Sequence, residues 1–251
     1  MKNALLAVVA SALIAAQAAS AAEIKLLASG ATKEICLDLI PSFEKNSGHK
    51  VVATWAGTVD VKKKIAAGEV YDVVIVAAPE IDAFIKDGKL APGSRSDLMK
   101  SAVGVAIRAG ARKPDISSAE ALKKTLLDAK SIGYSTGPSG IYIASLLEKM
   151  GIAEQVKSKL RQTVPGQRVS VMVASGDAEI GFQQVSELIH EAGIDYIGPL
   201  PAAIGNVTTF SAGIHREARH PGAGTTLVQH LKAPSAASTI KKYGMDPAAG
   251  G

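Results

Sequence analysis

Two sets of residues in this chain have the types and spacing to do chemistry. The first is Gly133-Tyr134-Ser135-Thr136-Gly137, a G-x-S-x-G pattern at the end of an apolar run. In α/β hydrolases this pattern sets a serine nucleophile on a sharp turn between a strand and a helix. Asp195 and His220 follow in the chain order that such a triad uses. Against it, Pro138-Ser139-Gly140 delays a helix that should begin at once. Short glycine patterns also arise by chance in a chain with 24 glycines. An exported hydrolase using Ser135 stands as the alternative reading.

The second set is a local shape that recurs. A strand or a chain break runs into small residues with hydroxyl or amide groups, and then into a helical pattern. The places are Ser29-Gly30-Ala31-Thr32, Ala56-Gly57-Thr58, Gly137-Pro138-Ser139-Gly140 and Gln183-Gln184-Val185-Ser186. Helix N-termini offer N–H groups without intrahelical partners and the positive end of the helix dipole. Several of them converging would hold an anion without a full counter-charge. Each turn taken alone is more often an ordinary helix cap.

Other chemistries have less support. The histidines, His49, His190, His215, His220 and His230, show no H-x-x-x-H spacing, and none lies near Cys36. There is no Walker A pattern and no G-x-G-x-x-G, so neither a metal nor a cofactor is expected. Cys36 is the single cysteine, which rules out an internal disulfide. Its place on a helical pattern reads as a small buried apolar residue.

The elements that would position these turns follow from hydrophobic period. Apolar runs at residues 24–28, 51–55 and 71–76 read as strands. Helical faces lie between and after them, at Ile35, Leu39, Ile40 and Phe43, at Val61 and Ile65, and at Ile81, Phe84 and Ile85. That is βαβαβα, a parallel sheet covered by helices. Residues 89–100 are polar with Pro and Gly and read as a linker. A second α/β set follows: strands at 102–107, 131–134, 178–183 and 194–197, and helices after the Ser117–Glu120 capping box and at 141–149, 169–174 and 185–191. An extended segment at 207–214 and helices at 225–231 and 235–243 finish the chain.

Composition narrows the partners. Lys and Arg number 28 against 23 Asp and Glu, a net charge of +5. Lys62-Lys63-Lys64 is the longest basic run and aromatics are 4%, which argues against nucleic acid. Residues 1–21 read as a signal peptide: Met1-Lys2-Asn3, an apolar stretch, then Ala19-Ser20-Ala21. The other reading is a buried N-terminal helix. Cleavage would leave a periplasmic protein with no membrane insertion and no cysteine anchor.

With these elements in place, the chain resembles the periplasmic solute-binding proteins of ABC importers, of the molybdate-binding type. The segments that carry the resemblance are IKLLASGATKEICLDLIPSFEKNSGHKVV, KKKIAAGEVYDVVIV, GPSGIYIASLLEKMG, VASGDAEIGFQQVSEL and LVQHLKAPSAASTIKKYGMDP, in order over residues 24–247. The resemblance implies an α/β fold, two α/β lobes joined by a two-strand hinge, the type II periplasmic-binding-protein fold. Lobe 1 would hold residues 24–100 and 208–251, and lobe 2 residues 101–207. A small anion, molybdate or tungstate by default and a small organic acid otherwise, would bind in the cleft. The cleft would close by a hinge motion for a membrane permease to read. The ligand would leave unchanged, and the protein would act as a monomer.

The resemblance also implies ligand contacts. Ala31 falls where the family has a serine, and Ser29, Gly30 and Thr32 flank it. Thr58 keeps the hydroxyl of the second turn. Ser139 and Gly140 fall on the third, and a further contact falls near Gly166 to Arg168. Gln184 stands where the family has a tyrosine. Turned inward, Arg168 would suit a carboxylate or phosphate-like ligand by bidentate pairing. Turned outward, it is a solvated surface arginine.

Overall fold

The computed structural model describes residues 21–164 and 167–248. Residues 1–20 of the expected signal peptide, and Gly166, lie outside the described residues.

The first sheet grows from the three βα units. β1 (Glu23–Ser29) runs parallel to β2 (Lys50–Ala56) on one side and β3 (Val73–Ala77) on the other. Every residue of β3 is buried, as a parallel strand covered on both faces requires. Neighbouring residues of β1 serve opposite faces. Leu26 packs with Ile35, Leu39 and Phe43 of α1 (Lys33–Ser47), while Leu27 packs with Val61 and Ile65 of α2 (Thr58–Ala66) and Ile81 and Phe84 of α3 (Ala78–Lys86). A period of two along the strand thus distributes the helices over both faces.

One long strand then belongs to two sheets. β4 (Ser96–Arg108) is antiparallel to β9 (Val207–Ile214) over Ser96 to Ala102, and β9 borders β3. From Val103 onward, β4 pairs instead with β7 (Ile180–Gln184) and with β8 (Ile194–Pro199). The second sheet continues through β5 (Ile132–Tyr134) to β6 (Leu160–Gln162), both parallel to β7's direction through β5. It is flanked by α4 (Ala119–Asp128), α5 (Pro138–Lys149), the short α6 (Ala153–Val156) and α7 (Val169–Ser175). Their core joins Val103, Val105, Leu122, Leu126, Ile143, Leu146 and Phe182. The chain returns through β9 to α8 (Pro221–Lys232) and α9 (Ala237–Lys242), whose Leu227, Leu231 and Ile240 close the core under α1. β10 (Asp246–Pro247) pairs with β4 at Lys100 and Met99.

Three local readings need correction, and one strand had no reading. The linker expected over residues 89–100 gives way to the start of β4 at Ser96. A register shift between Asp97 and Met99 places Leu98 and Met99 side by side in the core, at 1% and 0% exposure. A bulge of this kind removes the alternation by which a strand is recognised. The helix expected over 185–191 is one 3-10 turn, Val185–Glu187. Val185 and Leu188, three apart, are both buried by that single turn. The N-cap of α4 is Ser118, whose Oγ accepts from the Ala121 N–H at 3.1 Å, one residue beyond the expected Ser117. β6 has a single apolar residue, so it carries no strand pattern.

Candidate functional site

The small-residue turns lie at the carboxyl ends of β1, β2, β5 and β7, where parallel sheets bind ligands. Between them is a cleft of about 120 Å³. That suits a ligand of few heavy atoms rather than a drug-sized one, whose pockets run to about 300–1,000 Å³.

The wall from the first sheet is mainly uncharged. Ser29 caps a 3-10 turn, Gly30–Thr32, its Oγ accepting from the Ala31 N–H at 3.4 Å. Thr32 Oγ1 donates to the Ser29 carbonyl at 2.9 Å, so its proton is used inside the turn. Gly30, Lys33, Trp55 and Gly57 line the cleft. Thr58, the first residue of α2, is 1% exposed, and its Oγ1 has no hydrogen-bond partner among the described residues. A buried hydroxyl without a partner is rare and calls for an explanation.

The opposite wall is polar and networked. Ser135 Oγ shares a hydrogen bond with Ser139 Oγ at 3.1 Å and accepts from the Gly137 N–H at 3.1 Å. Gly140 lets α5 sit on this turn, since a Cβ there would lie 1.7 Å from the Ser135 carbonyl oxygen. Gln183 bridges two elements: its Oε1 accepts from the Val169 N–H at 2.9 Å, and its Nε2 donates to Glu187 Oε1 at 2.8 Å. Glu187 lines the cleft opposite Gly30, where a Cβ would lie 3.3 Å from Glu187 Oε1. Burial pushes its carboxyl up to about 7, against the pull of Arg168 and the Gln183 hydrogen bond and helped by the charge of Glu191.

Several contacts cross the cleft. Arg168, the N-cap of α7, donates to Glu34 Oε1 of α1 at 2.6 Å and also pairs with Glu191. Ser186 Oγ donates to the Ala31 carbonyl at 2.8 Å. Gly57 meets Thr136 so closely that a Cβ would fall 2.4 Å from Thr136 Oγ1.

The residues singled out in the sequence therefore have different places. Ser29, Gly30 and Arg168 line the cleft. Thr58, Ser139 and Gly140 are buried in its walls. Ala31 offers its carbonyl to Ser186, and Thr32 is committed to Ser29. Gln184 is turned to the crossing strand: its amide donates to Ser101 Oγ at 3.1 Å and accepts from Thr208 Oγ1 at 3.0 Å. Lys33 and Glu187 were not anticipated, and Gln183 was named only as part of its small-residue turn. The adjacent buried amides at the end of an apolar strand were the available signal; the charge on Glu187 was masked by the helix expected there.

The Ser135 triad does not assemble, although α5 begins at Pro138 directly after this turn rather than being delayed beyond Gly140 as the sequence suggested. Ser135 is at the carboxyl end of β5. Asp195 lies opposite Ile107, level with Ile180 at the other end of that sheet, and accepts from the Gly110 N–H at 3.0 Å. His220 is exposed, and its N–H donates to Asp72 Oδ1 at 2.7 Å, before β3 begins. Strand direction separates them although chain order did not. Among the described residues no group of three or more His, Cys, Asp or Glu stands close enough to hold a metal ion.

Comparison with known proteins agrees with this geometry. The family model for bacterial extracellular solute-binding proteins matches residues 24–246. An aconitate isomerase of Pseudomonas sp is 34% identical over 228 residues, covering 88% of this chain and 87% of that protein. The molybdate-binding protein ModA of Azotobacter vinelandii is 30% identical over 234 residues, covering 90% and 91%. The solved Azotobacter vinelandii periplasmic molybdate-binding protein superposes with a TM-score of 0.73 at 21% identity, over 88% of this chain and 98% of that one. Two sheets sharing a crossing strand, with a small cleft between their strand ends, have the architecture of type II periplasmic binding proteins, and the chain belongs to the bacterial extracellular solute-binding proteins.

Proposed function

We propose that this protein captures a small organic carboxylate in its cleft and presents it to the membrane permease of an ABC importer. The observation that carries anion capture is Thr58. Its buried hydroxyl lies on the first turn of α2 with no partner among the described residues, beside a helix N-terminus that favours negative charge. The lobes in this reading divide near residues 100 and 208, supported by the exchange of β4's partners between Ala102 and Val103. The protein acts in the periplasm as a monomer. Among the described residues no helix is long and apolar enough to cross a membrane.

Two features favour a carboxylate over molybdate or tungstate. Ala31 supplies no side-chain donor to a tetrahedral oxyanion. Glu187 adds an ionisable carboxyl to the cleft, which a ligand with its own hydroxyl or acid proton can meet in either protonation state, whereas a fully ionised oxyanion meets it only when it is protonated. A thermal-shift panel of molybdate, tungstate, sulfate, citrate and trans-aconitate tests this. Binding stabilises by about 4 kcal/mol at a thousandfold excess over Kd. Carboxylates should give the larger shift; a larger shift with molybdate would return the ligand to the oxyanions.

Glu187 also favours a second reading, an isomerase like the Pseudomonas relative's name. A carboxyl titrating near 7 is poised to take a proton from a carbon beside a carboxylate and return it two carbons along, moving the double bond. Appearance of cis-aconitate from trans-aconitate, followed by NMR and lost in Glu187→Gln, would replace capture by catalysis.

A further inference from the structure

The charges around the cleft do not balance for an incoming anion. Glu187 sits on the 3-10 turn after β7, bonded to Gln183 of that strand. Arg168 approaches it from the N-cap of α7, but that guanidinium is already shared by Glu34 of α1 and Glu191 beyond the turn. Lys33 of α1 lines the cleft from across it and has no ion pair among the described residues. Two cations thus face three carboxylates, before any ligand arrives. An anion entering this small cleft lies beside the Glu187 carboxyl, and two like charges in one partly dry site do not both stay ionised.

We propose that the cleft binds its anion together with a proton, held on Glu187. Protonated, Glu187 changes from a competing charge into an O–H donor directed at the ligand. The proton comes from solvent and leaves with the ligand, so capture is linked to pH without any chemistry on the cargo. The inference rests on the reading of this cleft as an anion site. It adds a specificity-determining role for Glu187, which would admit anions in proportion to the protons available. Burial has already brought this carboxyl to about 7, so the coupling would operate above neutral pH and fade below it, where the proton is present in the empty cleft. Where uptake approaches one proton, affinity should fall about tenfold for each pH unit gained.

The test is calorimetric titration of the mature protein with trans-aconitate and with molybdate, at pH 6 and pH 8, in buffers of different ionisation enthalpy. The wild type should take up close to one proton per anion at pH 8 and much less at pH 6. Glu187→Gln should take up fewer protons by that same amount at pH 8, and its affinity should hardly change between the two pH values. The difference between the two proteins cancels any proton carried by the probe. Binding by the wild type at pH 8 with no proton uptake overturns the proposal, and needs no variant to fold. Equal uptake in Glu187→Gln overturns the assignment to that residue. Failure of both probes to bind at either pH would instead remove the anion-site reading, and this inference with it.

Discussion

The two walls of the cleft solve different problems. In the proposed reading the first-sheet wall would meet a ligand with a helix N-terminus, small residues and the buried Thr58 hydroxyl. The second-sheet wall meets it with a network: Gln183 holds Glu187 and the first N–H of α7 together, while Arg168 reaches across to Glu34. Dipoles and hydroxyls accept most small anions and need no proton. A network with an ionisable carboxyl distinguishes ligands by their protons and charges. In that reading attraction and selection would be divided between the walls.

Substitutions can separate the two. The largest effect should come from Thr58→Val, which removes a donor from the first wall. A hydrogen bond to a charged group contributes about 1.5–3 kcal/mol, so affinity should drop by about 10- to 150-fold in calorimetry. The melting temperature of the empty protein should hold or rise, because the lost hydroxyl has no partner among the described residues. A stability loss with unchanged affinity would place that hydroxyl in the core rather than the site.

Gly57→Ala should follow. Its Cβ would press on Thr136, but only when the walls meet. Overpacking costs about 1–3 kcal/mol, here charged to closure, so affinity should weaken by about tenfold and ligand-induced compaction in small-angle scattering should shrink. Arg168→Gln should be milder. It cuts the bridge to Glu34, and partly exposed pairs contribute up to about 1 kcal/mol. The empty protein should show a larger radius of gyration; an unchanged radius would mean that the other contacts suffice to close it.

The pH dependence of stability isolates the second wall. Between about pH 4.5 and pH 7 the native Glu187 keeps a proton that the unfolded chain releases. The native state then binds more protons, and this residue's contribution to stability falls as pH rises through that window. Glu187→Gln should flatten that part of the curve, measured by denaturant unfolding against pH. The smallest response is expected at Cys36, buried on α1 with its thiol pushed up to about 12 by desolvation. It should stay unreactive toward a thiol reagent in the native state.

Much of the architecture was legible in the sequence. The alternation of apolar runs and helical faces specifies βαβ units, because a parallel strand needs both faces covered and a helix needs one. The turns at Ser29, Gly57 and Ser139 were visible because only small residues let helices begin so close to strand ends. β4 was half hidden, since its bulge sets Leu98 beside Met99. The surroundings of Gln184 were hidden for a related reason: its neighbours along the chain do not reveal that Ser101 and Thr208 come to meet its amide.

By itself, then, the sequence determined local matters: periods, caps, small-residue turns and the burial of Cys36. Those depend on neighbours a few residues apart. Only the tertiary structure decided which turns share a cleft, that Asp195 and His220 stand far from Ser135, and that Glu187 faces Gly30. Strand direction and crossing set those positions. A carboxyl's proton affinity depends on the water it has lost and the charges brought to it, and β4 and β9 bring those together from opposite parts of the chain.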